Sequence, residues 1–337
     1  MSLFKLRGEL SQSQRWIWGI VGFVFLVLLW WILAEMRSVQ VPINYTQREY
    51  PSSIGADSIT LAKIDSLARL DSIDYANASE FEKVYPIIPS PVDVVYAFPE
   101  MLQEDELIRN TLISTWRNIQ GYLWAIILAI PIGFLIGLFP IFKGMFSRPI
   151  DALRFLPLTA LTGAFMLAFG IGEQMKINFL AFGIIVYLLP IVVQRLKEVK
   201  EVYLRTTFTL GATDWQTIKT VYIPSVMSKL IDDIRVLTAI SWTYIIIAEL
   251  LNEQDGIGTL MYKSGRQGHT EKVFAGLIVI IIVGFLQDWI FGYLEKRLFP
   301  HKQYSRSFLG FKEAKFGIYA ILGVTVLLVM VSSFIPT

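Results

Sequence analysis

Five stretches of this chain carry no charged residue over a length comparable to a bilayer core: Trp16 to Ala34, Asn118 to Phe142, Phe155 to Gly172, Ile177 to Gln194 and Phe316 to Thr337. A helix crosses the hydrocarbon layer with about 20 mainly apolar residues, because lipid offers its backbone no hydrogen-bond partner. Two shorter runs, Val236 to Ala248 and Val273 to Leu294, reach that length if a charge near one end extends to the headgroups. Seven spans are expected, so the fold class is an all-α integral membrane protein, a polytopic helical bundle. Composition agrees: 54% of residues are hydrophobic and 17% charged, against about 25% charged in a soluble domain. The first run exceeds the about 7–15 residues of a signal-peptide core, and Leu33-Ala34-Glu35 is a poor cleavage site, so it reads as a retained anchor.

What the chain lacks narrows its chemistry. It has no Cys and only His269 and His301, which leaves no thiol nucleophile and no multi-histidine metal site. A net charge of +2 gives no footprint for nucleic acid. There is no H-E-x-x-H, G-x-S-x-G or dinucleotide fingerprint, and no G-x-x-x-x-G-K-[ST] loop to cradle ATP phosphates. The carboxylates of Glu104-Asp105-Glu106 read as a solvated run rather than an acid–base pair.

Loop charge sets an orientation, because Lys and Arg gather in cytoplasmic loops close to membrane ends. Lys5, Arg7 and Arg15 precede the first run, and Lys143, Arg148 and Arg154 fill the short loop 143–154. Residues 195–235 hold Arg195, Lys197, Lys200, Arg205, Lys219, Lys229 and Arg235, and residues 296–315 hold six more basic side chains. Residues 35–110 carry 6 basic against 13 acidic side chains. A cytoplasmic N-terminus and an extracytoplasmic C-terminus place every basic segment inside. The organisation is then a cytoplasmic stub and first span (1–36), an extracytoplasmic acidic segment (37–110), a membrane core (111–300), and a basic linker with the last span (301–337).

Within the acidic segment, Ile59, Ile64, Leu67, Leu70 and Ile73 recur at near-helical spacing, and Pro91 is placed to start a second short helix toward Arg109. The segment reads either as a cap on the spans or as a docking surface. The basic segment 195–231 is more informative. Val199 to Leu210 reads as a helix, Gly211-Ala212 breaks it, Asp214 caps a second helix over Trp215–Tyr222, and Pro224 ends that helix. Two short helices bent at a Gly make a compact knob on the inner surface, suited to pushing on a soluble partner.

The spacing Arg205-Thr206-Thr207, three residues, Gly211-Ala212, then Val221, one residue, Ile223-Pro224 resembles the cytoplasmic EAA loop of type I ABC importer permeases. Arg205 stands where the family carries Glu, and Thr206 and Thr207 where it carries Ala. Further matches follow in order: Ile88-Pro89-Ser90-Pro91; Ser114-Thr115-Trp116-Arg117 with Gly121-Tyr122; Phe169-Gly170-Ile171-Gly172-Glu173; Ala248-Glu249 with Gly256-Ile257-Gly258; Phe274-Ala275-Gly276; and Leu294-Glu295-Lys296-Arg297-Leu298. They look most like the subgroup serving nitrate, sulfonate, taurine and bicarbonate uptake. The resemblance implies a six-span core, which leaves the C-terminal span as an extra one. It implies a bacterial inner-membrane permease that pairs with a second permease subunit, as a homodimer, around one pathway. It also implies an ATPase dimer holding ATP and Mg, engaged through residues 200–224, and an extracytoplasmic solute-binding protein. No cofactor is expected in this chain.

Several residues invite roles of their own. Glu173, Glu249 and Asp288 are candidates for the pathway or a gate; solvated helix ends for the two glutamates, and a partner such as Arg235 for Asp288, are the plainer readings. Gly133 and Gly137 form a G-x-x-x-G suited to helix packing within one subunit, to local bending with Pro131 and Pro140, or to a subunit interface. Trp16, Trp18, Trp30 and Trp31 read as interfacial anchors, and His269 as a surface residue. An ion-coupled secondary transporter and a non-transporting scaffold are the alternatives; the first would want buried charges and an internal repeat.

Overall fold

The computed structural model describes residues 11–42, 58–78, 81–251 and 254–299. The last expected span, from Phe316 onward, lies outside them, as do Lys5, Arg7 and the linker beyond 300. The described residues divide into two compact units, one holding residues up to 95 with 268–274, the other holding 96–267 with 275 onward.

In the first unit, α1 (Gln12–Met36) opens with a capping box in which Ser11 and Gln14 satisfy each other's backbone N–H. Its apolar surface stays exposed along most of its length, as lipid contact requires. Two short strands, β1 (Val39–Pro42) and β2 (Phe81–Val84), pair antiparallel and frame α2 (Ser58–Asn77). This ribbon corrects the all-helical expectation for the segment; Val39, Val41, Phe81 and Val84 suit a strand, but the run was too short to signal one. Ile64 and Leu67 of α2 are half-buried, whereas Leu70 and Ile73 are exposed. Trp30 does more than anchor at an interface: its indole donates to the Pro89 carbonyl at 3.0 Å and stacks on Phe274 with centroids 5.7 Å apart.

The chain continues through α3 (Pro91–Gln103), which Pro91 starts as expected, but a separate helix α4 (Leu107–Leu138) takes over before Arg109. Beyond it lie α5 (Pro140–Leu153), a 3-10 turn (Leu158–Leu161), α6 (Thr162–Phe169) and α7 (Glu173–Lys197). Then come α8 (Glu201–Thr209), α9 (Asp214–Thr217), a π turn (Ile218–Tyr222), α10 (Ile223–Leu250), α11 (Ile257–Arg266) and α12 (Thr270–Leu298).

The second unit is organised around α7, whose buried side is continuous from Met175 to Leu196. Against it α4 packs at backbone distance through three glycines. A Cβ on Gly121 would lie 2.6 Å from Leu180, on Gly133 2.5 Å from Val192, and on Gly137 2.4 Å from Leu196. The G-x-x-x-G therefore serves packing inside one chain. Each glycine meets a residue the same distance along α7, so the two helices run parallel. Parallel neighbours require the chain between them to travel back, and Pro140–Phe169 makes that return.

The return path departs from expectation. The apolar run Phe155–Gly172 is not one long helix, and the basic stretch 143–154 is not a loop. Instead α5 and the segment Leu158–Phe169 meet at a bend of 100°. Pro157 supplies no N–H to continue a ladder, and Lys143, Arg148 and Asp151 keep α5 out of a purely apolar layer. Gly170, at φ +73°, ends α6 in a conformation that a side chain would resist.

Helix α10 runs antiparallel to α7; Gly183 lies under the Tyr244 ring, 2.7 Å from where its Cβ would stand. The apolar run Val236–Ala248 is only part of this helix, whose other half carries Lys229, Asp232, Asp233 and Arg235. Among the described residues, α1, α4, α7 and α12 are each long and apolar enough to span, and the bent pair adds a fifth only where its two pieces count as one span.

Adding one carbon at the α4–α7 contact tests this seam. Gly133→Ala should lower the thermal unfolding midpoint of the purified protein, at a cost of about 1–3 kcal/mol for overpacking. Val192→Ala in the same chain should recover most of it. An unchanged midpoint for Gly133→Ala alone would show that the helices are not in backbone contact there.

Candidate functional site

Two regions carry the groups singled out in the sequence: a knob between α7 and α10, and a buried charge cluster at the opposite end of the same helices.

The knob is α8, the bend and α9. Gly211 sits at φ +73°, and the Gly211 and Ala212 amides return to the Phe208 and Thr207 carbonyls at 3.0 Å each. The residue that caps α9 is Thr213 rather than Asp214: its hydroxyl accepts from the Gln216 amide while Gln216 accepts from the Thr213 amide at 2.8 Å. Pro224 does not end a helix. It occupies the first turn of α10, after a π turn containing Val221, so its missing N–H falls where the ladder is already widened. Thr217 is buried beneath the bend, with its hydroxyl 3.5 Å from that of Thr207. Thr206 bonds back to the Val202 carbonyl, and Arg205 pairs with Glu201 one turn away at 3.0 Å, both exposed. Apolar side chains point outward instead of inward: Leu210 is 80% exposed and Trp215 69%, with Val202, Tyr203, Phe208 and Ile223 also open.

The knob is bolted at its root. Arg195 at the end of α7 forms a bidentate pair with Asp233 of α10, both bonds 2.7 Å. Glu198 accepts from Arg195 at 2.8 Å and from Lys229 at 3.0 Å. Those bonds hold the Glu198 carboxyl down to about 2. Farther along α10, Arg235 grips Asp288 of α12 through two bonds of 3.0 and 2.8 Å and reaches Glu295 at 3.1 Å. Asp288 thus has the partner it needs to sit in an apolar helix, and Trp242 adds a bond to neighbouring Gln287 at 2.7 Å.

At the far end, Arg117 of α4 is only 2% exposed. Its guanidinium bonds both Glu173 oxygens at the start of α7, the Glu249 carboxylate of α10 at 2.9 Å, and both the backbone carbonyl (2.9 Å) and side chain of Asp255. Glu249 is wholly buried, not a solvated helix end. It accepts from Ser114 at 2.6 Å and from the Gly258 amide at 2.9 Å, while Ser114 accepts from the Ile257 amide at 2.8 Å. Gly256, at φ +109°, lies against that carboxylate; a Cβ there would fall 2.3 Å from it. Asn110 closes the turn by accepting from the Gly256 amide at 2.9 Å. Lys176 is buried beside Glu173 at 3.4 Å and Asp255 at 3.8 Å. Burial raises the Asp255 carboxyl, but the Arg117 bond and the nearby cations outweigh it, so the group stays below the ordinary aspartate range.

Of the sequence candidates, Glu173 and Glu249 are drawn together here, while Asp288 is held at the other end. Arg117, Ser114, Lys176 and Asp255 were missed as functional side chains. Their signal was present: Arg117 closes one matched motif, Glu173 another, and Glu249 with Gly256–Gly258 a third, and charges bordering such apolar runs need partners. Among the described residues no group of acidic or histidine side chains is arranged for a metal ion. The arrangement ties α4, α7 and α10 together at one end and α7 to α10 at the other.

Comparison with known proteins adds the context. Residues 121–300 match the family described as binding-protein-dependent transport system inner membrane component. An aliphatic sulfonates transport permease protein of Bacillus subtilis is 28% identical over 215 residues, covering 63% of this chain and 77% of that one. The taurine transport system permease protein of Escherichia coli is 27% identical over 218 residues, covering 63% and 79%. An inward-facing structure of the MetNI methionine ABC transporter is similar over 59% of this chain and 96% of its own, with 18% identity and a TM-score of 0.49.

Replacing Arg117 with Met should leave Glu249 buried without its cation, at a cost of about 3–5 kcal/mol. The unfolding midpoint should fall sharply, and the double change Arg117→Met with Glu249→Met should recover part of the loss. A wild-type midpoint for Arg117→Met would mean that the cluster does not hold the helices together.

Proposed function

The chain belongs to the family of inner-membrane components of binding-protein-dependent transport systems, and on that premise we propose that its α8–α9 knob seats a separate ATPase and that its spans, with a second copy, enclose the path of a small anion. It is a multi-pass ABC importer permease and a non-catalytic subunit; ATP and Mg belong to the partner that hydrolyses the nucleotide.

The observation that carries the coupling role is the knob itself. Apolar side chains left in water cost free energy unless something covers them. Leu210, Trp215, Val202, Tyr203 and Phe208 sit together on a rigid bend whose root is pinned to α7 and α10. A load applied there travels into two helices at once. Arg205, in place of the family's Glu, is occupied with Glu201 and leaves the contact to the apolar residues and the Gly211 bend. Glu249 and Asp288 are anchors in this reading. Glu173, whose side chain is half-exposed, is the member of the charge cluster that this reading assigns to the pathway.

The two relatives named for aliphatic sulfonates and taurine support a small sulfonate-like anion as the solute, delivered by an extracytoplasmic binding protein. Basic loops favour a cytoplasmic N-terminus, with the knob inside and α2 outside.

Gly211→Asp and Trp215→Ala should each abolish or strongly reduce co-purification of the ATPase and solute-stimulated ATP hydrolysis in the assembled transporter. Intact association in both variants would remove the knob from the contact. The absence of native Cys allows a direct check of topology. A single Cys at Ser66 should react with an impermeant maleimide on intact spheroplasts, and one at Thr213 only after lysis; labelling of Thr213 from outside would reverse the orientation.

A further inference from the structure

At the knob end of the second unit, a cavity of about 220 Å³ opens between α5 and α7. Ile136 of α4 and Val193 of α7 contribute apolar lining, and its polar lining comes from Ser147, Asp151 and Arg154 of α5 and Gln194 and Lys197 of α7. We propose that this cavity holds the phosphate of an anionic phospholipid headgroup.

Three observations converge on that ligand. First, the Ser147 hydroxyl is buried yet makes no hydrogen bond among the described residues. A buried hydroxyl without a partner costs roughly 1–3 kcal/mol, which a ligand acceptor would relieve. Second, the wall carries two cations and one anion. Arg154 donates to Asp151 at 3.0 Å with one of its nitrogens, and Asp151 is turned largely to solvent. Lys197 is exposed at the rim, so the cavity presents positive charge beside a hydroxyl donor, the donor set that suits a phosphate. Third, α5 has two distinct stripes. Ser147, Ile150, Asp151 and Arg154 repeat at helical spacing on the cavity side, and Ile141, Phe142, Met145 and Phe146 form an exposed apolar stripe elsewhere on the helix. A helix of this kind lies at the boundary of headgroups and acyl chains. Its position puts the cavity where lipid phosphates are concentrated, and basic pockets between helix ends bind such headgroups.

This places an occupied lipid site beside the end of α7, three residues before the coupling helix α8 begins. That this end faces the cytoplasm rests on the orientation proposed above; the binding itself does not.

Native mass spectrometry of the full-length purified chain, titrated with phosphatidylglycerol, phosphatidylcholine and inorganic phosphate, tests the site without any ATPase or transport readout. The wild type should retain phosphatidylglycerol in preference to phosphatidylcholine, and millimolar inorganic phosphate should not displace it. Ser147→Ala with Arg154→Gln and Lys197→Gln should weaken retention by about tenfold or more, and Lys197→Gln alone by a smaller factor. Lys143→Gln with Arg148→Gln removes the same total charge as the triple variant without touching the residues that line the cavity, and should leave retention near wild type. Wild-type retention in the Lys197→Gln and triple variants would overturn the proposal. So would an equal loss in the Lys143→Gln/Arg148→Gln variant, which would mean diffuse surface charge. Displacement of the lipid by inorganic phosphate would assign the cavity to a soluble anion instead.

Discussion

The backbone-to-backbone contact of α4 with α7 is the constraint from which the second unit follows. Gly121, Gly133 and Gly137 let two apolar helices approach until Leu180, Val192 and Leu196 fill the space that side chains would take. In lipid, where apolar surfaces gain little from leaving solvent, such packing is a main source of helix association. Because the contact is parallel, α5 and α6 must carry the chain back. Because the offset is constant along the contact, it sets the first turn of α7 beside the third turn of α4, which is what brings Arg117 to Glu173.

The charges at the two ends then act as fixtures. A guanidinium buried with one carboxylate would be a poor source of stability, since desolvation offsets the attraction. Arg117 instead meets Glu173, Glu249 and Asp255, and Glu249 has its remaining oxygen capacity satisfied by Ser114 and the Gly258 amide. The helices α4, α7 and α10 and the turn before α11 are thereby locked in one arrangement. At the knob end the same logic is looser. The Arg195–Asp233 and Glu198–Lys229 pairs are partly exposed, and they can hold the knob's root while remaining closer to water.

Much of the architecture was legible because lipid imposes a one-dimensional rule. Charge-free runs located α1, α7 and α12 closely, α4 begins eleven residues before its charge-free run, and Gly211 marked the bend of the knob. Failures occurred where a local rule has two outcomes. Pro224 could end one helix or begin another, and the π turn before it decided for the second. Asp214 and Thr213 are both good caps, and Gln216 three residues on selected Thr213 by completing a capping box. The run Phe155–Gly172 was apolar enough to span as one helix, yet Pro157 and Gly170 confine its helical part to a short piece, with α5 bent away before it.

By itself the sequence determined that this chain lives in a membrane, where its long apolar helices fall, and that it carries a Gly-bent basic loop at the spacing of an ATPase-coupling motif. Those features follow from composition and short-range spacing, which a chain displays without folding. Only the tertiary structure decided that Arg117, Glu173, Glu249 and Gly256, scattered over more than a hundred residues, form one buried cluster, and that Asp288 is neutralised by Arg235. It also decided that the glycines of α4 serve contact within the chain. Charge pairing and close packing depend on which helix faces are neighbours, and in a bundle of uniformly apolar spans periodicity alone does not say which face turns inward.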